Sequence, residues 1–180
     1  FSMPKVVITA VNLGLVEGDT VNIGNEFGNI SSDIKGAIEN TRLAEIDSNF
    51  KSLPPEIQQM VRLAHQYANS NEGRILYASK YSQTDITACN FFVFNVMKEA
   101  GVLPWSLNVC PRARNFDDFL KNNQTINNYF KSKGWNLEIL NFDMDSLEAG
   151  DILINDAQDR SHIAIVVPVI SKDNKIGLVL

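Results

Sequence analysis

Residues 89–102 read CNFFVFNVMKEAGV, and this stretch constrains the fold most. Phe91, Phe92, Val93, Phe94, Val96 and Met97 make a helix over about Cys89–Ala100 apolar on nearly every side, with Gly101 as its stop. Such a helix has to lie at the centre of a core, covered by other elements. The chain downstream supplies candidates, because its apolar period changes from helical to alternating. Leu137–Leu140, Asp151–Ile154, the run SHIAIVVPVI and the run KIGLVL read as strands, the last two joined by a turn at 172–175. Helices first and an antiparallel sheet afterwards give an α+β arrangement, with the central helix packed on the sheet.

Upstream, Lys5–Val11 reads as a strand and residues 12–36 as loops and short turns. A helix is expected within Ser32–Phe50. Ser52-Leu53-Pro54-Pro55-Glu56 is a helix start, with Ser52 as cap, prolines in the first turn and an early glutamate. That helix runs to about Ala68. Phe116–Lys133 reads as one further helix, stopped by Gly134. The 180 residues suit one domain over 51–180, preceded by an N-terminal extension over 1–50 of unassigned role.

The formal charge is −5, and residues 1–50 carry seven acids against Lys5, Lys35 and Arg42. That balance argues against a nucleic-acid surface, which needs clustered Lys and Arg. No apolar run is long enough to span a bilayer, and no secretory signal is visible in the opening residues. The chemistry-bearing residues are few. Two cysteines, Cys89 and Cys110, and two histidines, His65 and His162, make neither a disulfide scaffold nor a zinc spacing.

Cys89 falls at the start of the apolar helix, where unpaired N–H groups and the helix dipole favour a thiolate and lower its pKa. Thr87 is the expected cap, with Asp85 as the weaker candidate. The competing reading is a buried core thiol, since free cysteine is among the most buried residue types. His162 shifts the balance. Alternation puts His162, Ala164 and Val166 on one face of the strand and Ile163, Ile165 and Val167 on the other. The isoleucine face suits a core, and the alanine face leaves room for a helix end or a substrate. A helix-start cysteine followed by a strand histidine is a nucleophile–base pattern.

His65 reads as structural, on the apolar side of its helix. Cys110 reads as a free thiol, because a disulfide to Cys89 would disable the nucleophile. Asp117 and Asp118 read as solvated helix-start carboxylates. Trp105 and Trp135 read as core residues, with a groove wall as the alternative.

The two motifs together resemble those of the NlpC-like and CHAP cell-wall cysteine peptidases and amidases, which share a papain-like core. The nucleophile motif is Ala88-Cys89-Asn90-Phe91-Phe92-Val93, with Ala88 and Asn90 where the family usually has Asp and Ser. The base motif is Gly150-Asp151-Ile152-Leu153-Ile154 followed by Ser161-His162-Ile163-Ala164-Ile165. The resemblance covers roughly residues 74–180. It implies a cysteine hydrolase that cuts amide bonds in peptidoglycan stem peptides or cross-links, with Cys89 as nucleophile and His162 as base. The third group, which orients the histidine, would come from the next strand, with Asn174 and Asp173 as candidates. Tyr77, with Tyr81 as fallback, would line the substrate groove, and Asn90 and Ser161, which flank the pair, would also contact the substrate. No metal or cofactor is implied. The partners implied are a peptidoglycan peptide and, for a toxin delivered into rivals, an immunity or inhibitor protein. The site of action implied is the secreted or periplasmic space. The alternative is a binding or scaffold protein that keeps the fold without the chemistry.

Overall fold

The computed structural model describes residues 5–9, 20–21, 42–45, 48–68, 89–141, 148–155, 162–170 and 176–179. Over these the chain is α+β, with helices beside two small four-stranded sheets.

The strands are β1 Lys5–Thr9, β2 Thr20–Val21, β3 Arg42–Leu43, β4 Glu138–Asn141, β5 Ile152–Asn155, β6 His162–Ile165, β7 Val167–Ile170 and β8 Ile176–Val179. One sheet has the order β2-β8-β7-β3 and is antiparallel throughout. The other has the order β4-β1-β5-β6. In it β5 and β6 are antiparallel, but β1 enters between β4 and β5 and runs parallel to both. This sheet is therefore mixed where an antiparallel one was expected. Residues 1–50, expected as an extension, contribute β1, β2 and β3, each paired with a strand from the rest of the chain.

The helix expected within Ser32–Phe50 is not what the described part of that stretch forms. Arg42 and Leu43 pair with Ile170 and Val169, and only a short helix, α1 Ser48–Ser52, follows. Cross-strand pairing with β7 overrides local propensity here. Helix α2, Pro55–Ala68, starts as the prolines dictate. Pro54 O accepts the first intrahelical bond from Gln58 N at 2.9 Å, so Pro54 occupies the cap position and Ser52 closes α1 instead. Pro55 stands where a backbone N–H would have no partner. Ile57, Met60, Val61 and Ala64 form the buried face of α2.

Helix α3, Cys89–Glu99, is the central element. Cys89, Asn90, Val93, Phe94, Val96 and Met97 are buried, while Phe91 and Phe92 are half-buried. Its end is closed by Gly101 N donating to Lys98 O and Val102 N to Met97 O. The same pair of bonds, Gly134 N to Lys131 O and Trp135 N to Phe130 O, closes the last helix. The stretch Phe116–Lys133 is two helices and not one: α4 Phe116–Asn122 and α5 Gln124–Lys133, after a 3-10 turn at Ala113–Asn115. Asn123 between them is extended, and its Oδ1 accepts from Ile126 N at 3.1 Å. The side chain competes for a backbone donor and converts a helix interior into a cap. Asn123→Ala is expected to cost about 1 kcal/mol, read as a lower urea midpoint at unchanged slope.

The Gly-Asp step before β5 is a bulge. Gly150 N donates to Val166 O at 2.8 Å, while Val166 N donates to Asp151 O at 2.9 Å, so two residues oppose one. Gly150 has φ +85°, the left-handed conformation that this bulge type needs at its first position. A turn precedes it, with Asp151 N donating to Glu148 O at 3.1 Å. The buried Asp151 carboxylate locks that turn by accepting from Glu148 N at 2.9 Å. The bulge faces Val166, the residue at which the chain leaves one sheet for the other. SHIAIVVPVI is consequently two strands, β6 and β7, in different sheets.

Candidate active site

Cys89 is the first residue of α3 and is only 6% exposed. N–H groups at this end of a helix have no intrahelical acceptor, and the dipole there favours negative charge. The helix packs against β6, the strand that His162 opens. His162 pairs with Asn155 at the end of β5. The cysteine helix and the histidine strand are therefore neighbours. Ile163 and Ile165 share one buried cluster with Cys89, Val93 and Met97, whereas Ala164 is buried outside it. The core that holds Cys89 takes in the isoleucine face of β6, and the alanine face, expected to give a helix end room, lies outside that core.

A single carbonyl ties the residue after Cys89 to the Cys110 segment. Asn90 is buried, and its Nδ2 donates to Pro111 O at 2.9 Å. The Cys110 thiol donates to the same oxygen at 3.3 Å. One acceptor thus holds the Cys110 sulfur and the side chain next to Cys89 within about 6 Å of each other. The 3-10 turn that follows packs on β5 and β6, which fixes the Cys110–Pro111 segment beside the strand pair. Neither cysteine is in a disulfide; Cys89 is buried and Cys110 half-buried. Burial, and secondly the negative charge of Cys89, push the Cys110 thiol up from 9.0 to about 12. Cys110 therefore keeps its proton at neutral pH.

The sequence placed Asn90 among the substrate contacts. Its amide donates instead to the protein's own backbone, so it acts as a strut between the helix start and the Cys110 segment. This was not legible in advance, because nothing local marks Pro111 as an acceptor for a residue 21 positions away. Tyr77, Tyr81, Ser161, Asp173 and Asn174 lie outside the described residues, as do Asp85 and Thr87.

Two further expectations change. Trp105 is 71% exposed rather than in the core, with Lys98 Nζ 5.0 Å from its ring centroid. Trp135 is buried as expected. Asp117 turns Oδ1 inward, where it has no hydrogen-bond partner among the described residues, instead of facing solvent. Among the described residues, no group of three or more His, Cys, Asp or Glu is placed to hold a metal ion, and no helix is long and apolar enough to cross a membrane. No protein-family model, curated protein or solved structure matches the chain.

Proposed function

We propose that the chain is a cysteine hydrolase of papain-like, NlpC/CHAP type that cuts amide bonds in peptidoglycan peptides. The observation that carries this reading is a cysteine at the first residue of the central helix, packed against the strand that begins with His162. In the proposed reaction the Cys89 thiolate attacks the amide carbonyl carbon. His162 takes the thiol proton and later gives it to the leaving amine. The backbone N–H of Cys89 and its neighbours at the helix start receive the negative oxygen of the tetrahedral intermediate. Water then releases the acyl group, and the thiol is restored. His162 opens β6, the edge strand of its sheet, and the proposed reaction needs its ring within hydrogen-bond reach of the Cys89 sulfur. Asp173 or Asn174 would orient the histidine, and Tyr77, Tyr81 and Ser161 would line the groove. Action on the wall places the protein in the secreted or periplasmic space, with an immunity or inhibitor protein as partner where it serves as a toxin.

A second reading has its own support. Cys89 is as buried as an ordinary core thiol, and Asn90 is spent on a structural bond. A binding or scaffold protein with this fold would show both. Digestion of purified peptidoglycan, with fragments read by mass spectrometry, separates the two. The hydrolase releases fragments that carry new amino and carboxyl termini at one amide. A scaffold leaves the peptidoglycan intact while still pulling down with it.

A further inference from the structure

We propose that Cys89 and Cys110 form a dithiol switch, in which Cys110 closes a reversible disulfide onto Cys89. The Pro111 carbonyl accepts from the Cys110 thiol and from the side chain of Asn90, the residue after Cys89, which ties the Cys110 segment to the start of α3. Cys110 also packs against the buried cluster to which Cys89 belongs. Neither cysteine is in a disulfide, so the pair stands in its reduced form.

The oxidant class is a low-molecular-weight disulfide, RSSR. The Cys89 thiolate attacks one sulfur, forms a Cys89–SR mixed disulfide and expels RS⁻, which takes up a proton. Cys110 then loses its proton to solvent, attacks the Cys89 sulfur and expels the second RS⁻. Two protein thiols are oxidised, and one RSSR is reduced to two RSH. The order follows from the environment. Burial, and secondly the charge on Cys89, make Cys110 hold its proton, so it is a poor first attacker. Once Cys89 carries SR, that charge is gone and Cys110 is easier to ionise. Half-exposed, Cys110 meets a mixed disulfide that its neighbour has already made. Bridging requires the two Cα atoms to lie about 4.4–6.8 Å apart in the oxidised form.

The consequence for catalysis, a blocked nucleophile, rests on the hydrolase reading; the disulfide itself does not. The test uses the full chain and glutathione disulfide, read by intact mass and peptide mapping, with peptidoglycan digestion measured in parallel. The wild type is expected to lose two hydrogens and yield a Cys89–Cys110 cross-linked peptide, with no retained glutathione. Cys110→Ser is expected to keep one glutathione on Cys89. Dithiothreitol reverses both. Two results overturn the switch: equal glutathione retention on Cys89 in wild type and variant, or a wild type that takes neither adduct nor cross-link. A cross-link in a protein that never digests peptidoglycan sinks the hydrolase reading and leaves the switch standing.

Discussion

Cys89→Ala is expected to lower the rate of amide cleavage by about 10⁴-fold or more, with the fold intact. The size follows from what is removed. In the proposed mechanism the nucleophile and its base act as one unit, so either loss forfeits the covalent route and leaves only binding and the oxyanion donors. His162→Ala is therefore expected to cost about as much, and the double variant little further. Additive losses would mean that the two residues act separately. Stability should change less. Cys89 is buried, so the truncation leaves a small void worth about 1 kcal/mol. The measurement is release of new amino termini from purified peptidoglycan, normalised to folded protein by circular dichroism. A variant that digests at the wild-type rate removes Cys89 from the chemistry.

Gly150→Ala is expected to be more damaging than the same change at Gly101 or Gly134. The added Cβ would stand 2.7 Å from Ile57 Cγ2 and 3.4 Å from Leu53 Cδ1. Ile57 is buried and β-branched, so that methyl moves only if its whole side chain leaves its rotamer. Overpacking of this kind costs about 1–3 kcal/mol, and a non-glycine residue at φ +85° adds about 1–2 kcal/mol more. The control is Gly134→Ala, where φ is +71° but nothing lies within 4 Å of the new atom. It carries the backbone cost alone, about 1 kcal/mol. Urea denaturation of the two variants should therefore differ by at least the packing share. Equal losses would mean that the bulge does not press on α2 as described.

What was legible in the sequence was local. The apolar run at Phe91–Met97 forces a central helix. Gly101 and Gly134 end helices, and prolines start one, because each residue type acts within a turn of itself. The Gly150-Asp151 step was seen as a motif, and its physical content is a bulge with a side-chain lock. What was missed depends on distant partners. Nothing near Lys5–Thr9 says that it will run parallel between β4 and β5. The break at Val166 is invisible in an unbroken apolar run, because it is set by the bulge opposite. The division at Asn123 turns on one side chain capturing one backbone donor. In the site, the helix-start position of Cys89 and the strand start at His162 were both read correctly. The bridging role of Pro111 was not, because a carbonyl that gathers two residues from different segments leaves no trace in either.

The central claim is that the helix start and His162 together make Cys89 an activated nucleophile. The most direct measurement is the rate of Cys89 carboxymethylation by iodoacetamide against pH, followed by peptide mass in a Cys110→Ser background. An activated thiolate reacts well below the range of a free thiol, with an apparent pKa under about 7.5, and His162→Ala moves that value upward. A rate that follows a titration near about 8.5, no faster than a model thiol and unchanged by His162→Ala, would contradict the account.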